Sequence, residues 1–127
     1  MPTYTALAAG SVGLLIALLG SCISLLRLSK RAKGRRFDDL QRAHGNACEH
    51  VPILLILLYL AETLHAPHIA LVVGAWGIIV ARVLHAAGML LRPGPLARPF
   101  QFGGAGLTYL LEAGLGWVVL VHACPAS

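Results

Sequence analysis

The chain has 127 residues, of which 57% are hydrophobic and only 12% are charged, and its formal net charge is +5. In soluble domains about 25% of the residues are Asp, Glu, Lys or Arg, so this composition excludes a protein that is surrounded by water alone. The high hydrophobic content of the chain also excludes a disordered protein. Three cysteines provide neither a disulfide framework nor a paired zinc motif.

Four apolar segments are long enough to cross a hydrocarbon core of about 30 Å as helices. They cover residues 4–26, 40–64, 69–91 and 102–121. We therefore expect an all-α integral membrane protein with one transmembrane domain over residues 1–127, a bundle of four transmembrane helices per subunit. A stretch rich in helix breakers, Arg92–Pro99, ends the third span.

The basic residues outside the spans are confined to the first and third connections. They are Arg27, Lys30, Arg31, Lys33, Arg35, Arg36, Arg92 and Arg98. The positive-inside rule therefore predicts that these connections lie in the cytoplasm and that both termini lie outside. Apolar spans flank the basic run and no stacking aromatics are interleaved with it, which argues against nucleic-acid binding. Short termini without targeting elements favour a bacterial inner membrane.

Several residues receive a structural interpretation. Asp38 or Asp39 is expected to cap the second helix. The fourth span contains glycines that we expect to allow close helix packing. They are Gly103, Gly104, Gly106, Gly114 and Gly116. No metal site is expected, because His44 and Cys48 are one helical turn apart but His50 points about 160° away from Cys48.

Polar side chains inside the spans form two stripes. Arg42, Asn46 and Glu49 share one face of the second helix, because they are separated by four and then three residues. Arg82 and His85 share a face of the third helix for the same reason. An arginine or glutamate that faces lipid is strongly unfavourable, so both stripes should face protein or a wet cavity.

The simplest interpretation of these stripes pairs Glu49 with Arg42 or Arg82 as a clamp between helices. However, the basic groups toward the cytoplasmic side outnumber this one acid. They are Arg27, Arg42, Arg82, Arg92 and Arg98. The surplus favours an anionic ligand whose carboxylates are held by arginine and whose ammonium group is held by Glu49.

Two segments resemble a known family. Arg42-Ala-His-Gly-Asn46-Ala-Cys-Glu49-His-Val-Pro52 resembles the R-A-x-x-N-x-x-E-x-x-P signature of the MAPEG proteins, the membrane-associated proteins in eicosanoid and glutathione metabolism. Ala81-Arg82-Val83-Leu84-His85 resembles the A/G-R-V-x-H segment of the microsomal glutathione transferase and prostaglandin E synthase branch. Arg98 follows at a spacing similar to that of the catalytic arginine of this branch. The resemblance extends over essentially the whole chain.

The resemblance implies a homotrimer of four-helix subunits that binds glutathione as co-substrate, without a metal, in clefts between subunits near the cytoplasmic face. The positions that would hold glutathione are Arg27, Arg42, Asn46, Glu49, Arg82 and His85. Arg98 would be the catalytic residue, because a guanidinium near the thiol favours the thiolate. The implied activity is that of a glutathione transferase or peroxidase in detoxification, in which the thiolate attacks a lipophilic electrophile or a hydroperoxide from the bilayer.

Two alternative functions remain open. The first is a small four-span proton-coupled exporter with Glu49 or Glu112 as the proton-carrying carboxylate, although the arginine surplus argues against a site for cations. The second is a non-catalytic membrane protein that binds glutathione or lipid in an assembly or regulatory role. In a structural role, Glu112 would pair with Tyr109 or with a neighbouring subunit.

Overall fold

The computed structural model describes residues 1–124, which form four long helices. The helices are α1 (Thr3–Leu28), α2 (Arg35–Thr63), α3 (His68–Leu90) and α4 (Ala97–Ala123). Each of them is long and apolar enough to cross a membrane. This confirms the predicted all-helical architecture with four candidate membrane spans.

Two helices begin earlier than the predicted spans. α2 begins at Arg35 rather than near residue 40, because charged residues are excluded from the hydrocarbon but not from the helix that enters it. α4 begins at Ala97 rather than near residue 102, and Pro99 lies in its first turn. A proline is tolerated there because the first backbone N–H groups of a helix have no partner within the helix.

The two aspartates at the start of α2 do not cap it, contrary to the prediction. The N-cap residue is Gly34, whose φ is 83°, and no side chain caps the helix. Glycine adopts this left-handed conformation without a Cβ penalty. Asp38 lies exposed in the first turn, whereas Asp39 is buried and pairs with Arg35 at 3.9 Å and with Arg92 at 3.4 Å.

Helices α2 and α3 form the centre of the bundle. α1 packs against both of them on one side and α4 packs against both on the other, while α1 and α4 make no contact within residues 1–124. The central cluster includes Val12, Leu54, Leu58, Ala75 and Ile78. A second cluster includes Leu19, Ile23, Phe37, Leu40 and Met89. Since lipid is as apolar as these side chains, their contribution to helix association is close packing rather than exclusion of water.

The bundle has two chemically different ends. The first connection, residues 29–34, and the third, residues 91–96, lie at one end, which we call the basic end. The N-terminus, the second connection over residues 64–67 and the C-terminal end of α4 lie at the other, which we call the terminal end. The second hydrophobic cluster lies at the basic end, so the bundle remains packed close to where its polar residues concentrate.

Within residues 1–124 of one chain, the glycines that allow close helix packing differ from the five predicted in the fourth span. Of the five glycines singled out in the fourth span, only Gly104 lies against another helix, because a Cβ added there would be 2.5 Å from the backbone N of His85. The other four would meet nothing within 4 Å among the described residues. Gly88 of α3, by contrast, lies directly against the backbone of Gln101. Gly74 and Gly77 of α3 lie against the side chains of Leu115 and Leu111 of α4, so the backbones of the two helices come closest at Gly88 and Gly104.

Glu62, near the end of α2, satisfies the N-terminus of α1. Its carboxylate accepts hydrogen bonds from the backbone N–H groups of Tyr4 at 3.0 Å and Thr5 at 2.9 Å, and from the Thr5 hydroxyl at 2.8 Å. The Tyr4 hydroxyl forms a hydrogen bond with Nε2 of His68 at the start of α3. A negative charge at a helix N-terminus is favourable, so these contacts join three helices at the terminal end.

We expect Glu62→Ala to lower the free energy of unfolding by about 2 kcal/mol, because it removes the acceptor for three donors at once. Thermal unfolding in detergent, followed by circular dichroism, measures this effect. Thr63→Ala is the matched control, since the hydrogen bond of the Thr63 hydroxyl within residues 1–124 is to the carbonyl of Leu60 in its own helix. Equal melting temperatures for the two variants would show that Glu62 does not stabilise α1.

Candidate functional site

Arg82 of α3 is buried inside the bundle, with only 2% of its surface exposed. Its Nη1 donates a hydrogen bond of 3.4 Å to the backbone carbonyl of Asn46 on α2. Nε of Arg82 and Oδ1 of Asn46 are buried and have no hydrogen-bond partner within residues 1–124. A buried guanidinium is tolerated only with polar partners, so this region combines a cation with unused capacity for hydrogen bonds.

His85 lies one helical turn from Arg82, toward the basic end, and is 7% exposed. Its Nδ1 is 3.2 Å from the backbone carbonyl of Gln101 on α4, and its backbone packs against Gly104. The stripe formed by Arg82 and His85 thus faces protein, as the cost of placing an arginine against lipid requires. The structure brings Asn46, Arg82 and His85 into one region of the bundle.

Arg42 and Glu49 lie on the exposed surface of α2. The ion pairs in the described part of the chain are Arg35–Asp39, Arg92–Asp39 and His50–Glu112. The clamp between Glu49 and an arginine is therefore not formed within residues 1–124. Charged side chains at this depth of a membrane require a polar or protein environment, so this surface of α2 needs a cover other than lipid.

Arg27 lies near the end of α1, and its guanidinium is 6.0 Å from the centre of the Phe37 ring. It lines a cavity of about 380 Å³ between α1 and α2. The other residues that line this cavity are Gly20, Ile23, Ser24, Gln41 and His44. The cavity presents the Arg27 guanidinium together with the side chains of Ser24, Gln41 and His44, which can hydrogen-bond a ligand.

Arg98, in the first turn of α4, lies exposed on the other side of the bundle. It lines a second cavity, of about 510 Å³, at the basic end together with Arg35 and Arg92. Arg27 and Arg98 therefore line different cavities, and α1 and α4 do not touch within residues 1–124. One copy of the chain does not bring these two predicted site residues together.

The partner of Glu112 differs from the residues expected from the sequence. Nδ1 of His50 is 2.8 Å from Oε1 of Glu112, and Tyr109 packs edge-to-face against the His50 ring at 5.5 Å between centroids. His50 follows Asn46 by one helical turn. This spacing places both residues on the same face of α2, and it is the feature of the sequence that could have indicated an interior position for His50. His44 lies about 120° away around the helix and packs against Gly20 of α1, so the two histidines of α2 serve different contacts.

Four long apolar helices with a buried arginine and histidine at one end define an α-helical, multi-pass membrane protein with a polar site inside its bundle. The model of the MAPEG family matches residues 5–121, and the chain therefore belongs to the MAPEG family. It is a membrane protein of the glutathione and eicosanoid metabolism kind, in a family that includes glutathione transferases and related enzymes as well as members that are not transferases. No curated protein and no solved structure matches the chain.

Proposed function

We propose that the protein is an integral membrane glutathione transferase, with glutathione peroxidase activity as a second outcome of the same thiolate chemistry. The observation that carries the proposal is the fully buried Arg82, which is joined to Asn46 and lies one turn from His85. All three stand at positions that match the MAPEG motifs, and the family match covers them. In this proposal the protein acts in detoxification.

The residues suit the chemistry of glutathione, which carries two carboxylates, an ammonium group and a thiol. Guanidinium groups hold carboxylates through paired hydrogen bonds, so Arg42 and Arg82 would hold the acidic ends of the tripeptide. Glu49 would hold the ammonium group, Asn46 and His85 would add hydrogen bonds, and Arg27 would contribute from α1. Asn46 and Arg82 carry buried atoms without a hydrogen-bond partner, and Arg27, Arg42 and Glu49 are exposed without an ion pair among the described residues.

Both the transferase and the peroxidase reaction begin with the thiolate of glutathione. Arg98 would stabilise the sulfur anion, which is the nucleophilic form of a thiol whose ordinary pKa is about 8.5. With a lipophilic electrophile, the sulfur forms a bond to carbon and the leaving group departs with its electron pair. With a hydroperoxide, the sulfur takes the distal oxygen and an alcohol is released; a second glutathione then yields the disulfide and water.

A homotrimer would complete the site. Arg27 lies on the α1 side of the bundle and Arg98 on the α4 side, so a neighbouring copy that places its α4 side against α1 and α2 would bring them to one cleft. Contact between two different faces of a chain generates a closed ring when the rotation fits. Such a cleft would also cover Arg42 and Glu49, which are exposed in the single chain.

The basic end would face the cytoplasm, with both termini outside, because positively charged connections are retained on that side. Glutathione would then enter the site from the cytoplasm, while the second substrate would arrive from the bilayer. A bacterial inner membrane is the location that we propose. The lipophilic substrate need not cross water, since the four helices present apolar side chains to the lipid.

Glutathione binding and conjugation to a chlorinated nitroaromatic, both measured in detergent, test the proposal. We expect binding by calorimetry and turnover by absorbance, with Glu49→Gln weakening binding about tenfold because it removes one charge-assisted contact. Arg31→Gln is the control, since Arg31 lies exposed in the first connection and is not one of the proposed site residues. Absence of both binding and turnover in folded protein would refute the proposal.

A further inference from the structure

The cavity at the basic end contains two arginines that the proposed glutathione site does not use. It has a volume of about 510 Å³ and opens between the start of α2, the third connection and the start of α4. The residues that line it are Arg35, Arg92, Pro93, Gly94, Pro95, Ala97 and Arg98. Three guanidinium groups from three separate parts of the chain thus border one space.

The cavity carries a surplus of positive charge. Asp39 forms ion pairs with two of the lining arginines. Its Oδ2 is 3.9 Å from Nε of Arg35, and its Oδ1 is 3.4 Å from Nη1 of Arg92. Arg98 has no carboxylate within ion-pair distance in residues 1–124. One negative charge against three positive charges leaves a net charge of about +2 at the cavity, since arginine is always protonated.

Arg92 is held in place by two contacts. Its guanidinium is 3.4 Å from the carboxylate of Asp39, which is 4% exposed, and it donates a hydrogen bond to the side-chain oxygen of Gln101. Arg35, whose side chain is 70% exposed, contacts Asp39 at 3.9 Å. A guanidinium has five N–H donors, so these contacts leave donors of both Arg35 and Arg92 for a ligand. Because Arg92 is already fixed by these contacts, it loses less conformational entropy when a ligand binds.

We propose that this cavity binds a phosphate group, and that an anionic phospholipid of the surrounding leaflet supplies it. Forked guanidinium groups match the oxygens of a phosphate, and basic pockets between helices at a membrane face bind anionic head groups. Three exposed leucines next to the cavity favour lipid over free phosphate, because acyl chains can pack against them. They are Leu90, Leu91 and Leu96, which are 49%, 46% and 55% exposed.

The test separates the cavity from the proposed glutathione chemistry through the two arginines that this chemistry does not use. Arg35 and Arg92 belong to neither the catalytic nor the glutathione-binding residues, whereas Arg98, which also lines the cavity, is the proposed catalytic residue and is left unchanged. The test therefore measures lipid binding without glutathione and uses Arg35→Gln as its main variant. The Arg35 side chain is 70% exposed, so this substitution preserves the packing of the bundle.

Native mass spectrometry of the purified full-length protein, with phosphatidylglycerol or phosphatidylcholine added in detergent, gives the measurement. We expect wild type to bind phosphatidylglycerol in preference to phosphatidylcholine, and Arg35→Gln to weaken phosphatidylglycerol binding about tenfold. Lys33→Gln removes the same charge nearby without changing the cavity lining, so it should have little effect. Arg92→Lys is the second variant, because it keeps the charge beside Asp39 but removes the fork.

Inorganic phosphate distinguishes the two sources of the ligand. Binding of phosphatidylglycerol that depends on Arg35 supports a lipid site, whereas binding of inorganic phosphate alone with the same dependence supports a phosphate site filled from solution. Equal lipid binding in wild type and Arg35→Gln, with no binding of inorganic phosphate, would overturn the proposal. An equal loss in Lys33→Gln would also overturn it, since diffuse surface charge would then explain the binding. Glutathione conjugation should persist in Arg35→Gln, which separates this result from the outcome of the proposed function.

Discussion

Arg98→Ala should reduce the rate of glutathione conjugation by about 10²- to 10³-fold, the effect expected when one preorganised group that stabilises developing charge is removed. Glutathione affinity should change little, because in the proposed site the carboxylates and the ammonium group are held by Arg42, Glu49 and Arg82. The reason for this split is that Arg98 would act on the sulfur, whereas the other residues hold parts of the tripeptide that do not react.

Steady-state rates and calorimetry on the same preparations measure the two effects of Arg98→Ala separately. The ultraviolet absorbance of the thiolate gives a third readout, because bound glutathione should lose its thiolate signal in Arg98→Ala and regain part of it in Arg98→Lys. A variant with an unchanged rate would place Arg98 away from the sulfur. Wild-type protein that binds glutathione without turnover would instead support the non-catalytic alternative.

Membrane spans could be predicted from the sequence because the bilayer imposes the length and the apolarity of each crossing. The burial of Arg82 and His85 followed from the same constraint, since neither side chain is tolerated against lipid. The exclusion of charge from lipid did not predict that Arg42 and Glu49 lie exposed in the single chain. Helical spacing shows which residues share a face, but it does not show whether another helix of the same chain covers that face.

Partners on other helices account for the main differences between the sequence predictions and the structure. Asp39 was expected to act on its own helix, yet it pairs with Arg92 from the third connection. Glu112 pairs with His50, which lies 62 residues away in sequence. Such contacts depend on the rotation of each helix within the bundle, and a helix that is apolar on most of its surface carries little information about that rotation.

The glycines of α4 also show that the sequence does not define how a helix is rotated within the bundle. Gly103 and Gly104 are adjacent in sequence, but only Gly104 lies on the face toward α3. A Cβ on Gly104 would be 2.5 Å from the backbone N of His85 and 2.7 Å from the backbone carbonyl oxygen of Ala81. Both of these atoms belong to the backbone of another helix, so no side-chain rotation relieves the overlap.

Gly104→Ala should therefore lower the free energy of unfolding by about 3 kcal/mol, because α4 must move away from α3 to make room for one methyl group. Thermal unfolding in detergent measures this change. The same displacement should weaken glutathione binding, since the contact lies beside His85 and one turn from Arg82 in the proposed site.

Gly103→Ala is the matched control for Gly104→Ala, since it adds the same methyl group one residue earlier in the same helix, where no described residue would lie within 4 Å of it. Alanine favours a helix more than glycine does, so Gly103→Ala should be neutral or slightly stabilising. Equal melting temperatures for the two variants would mean that α4 is rotated relative to the described packing, and His85 would then not lie against it. A loss of stability in Gly104→Ala alone would instead establish the contact between α3 and α4 that holds Arg82 and His85 inside the bundle.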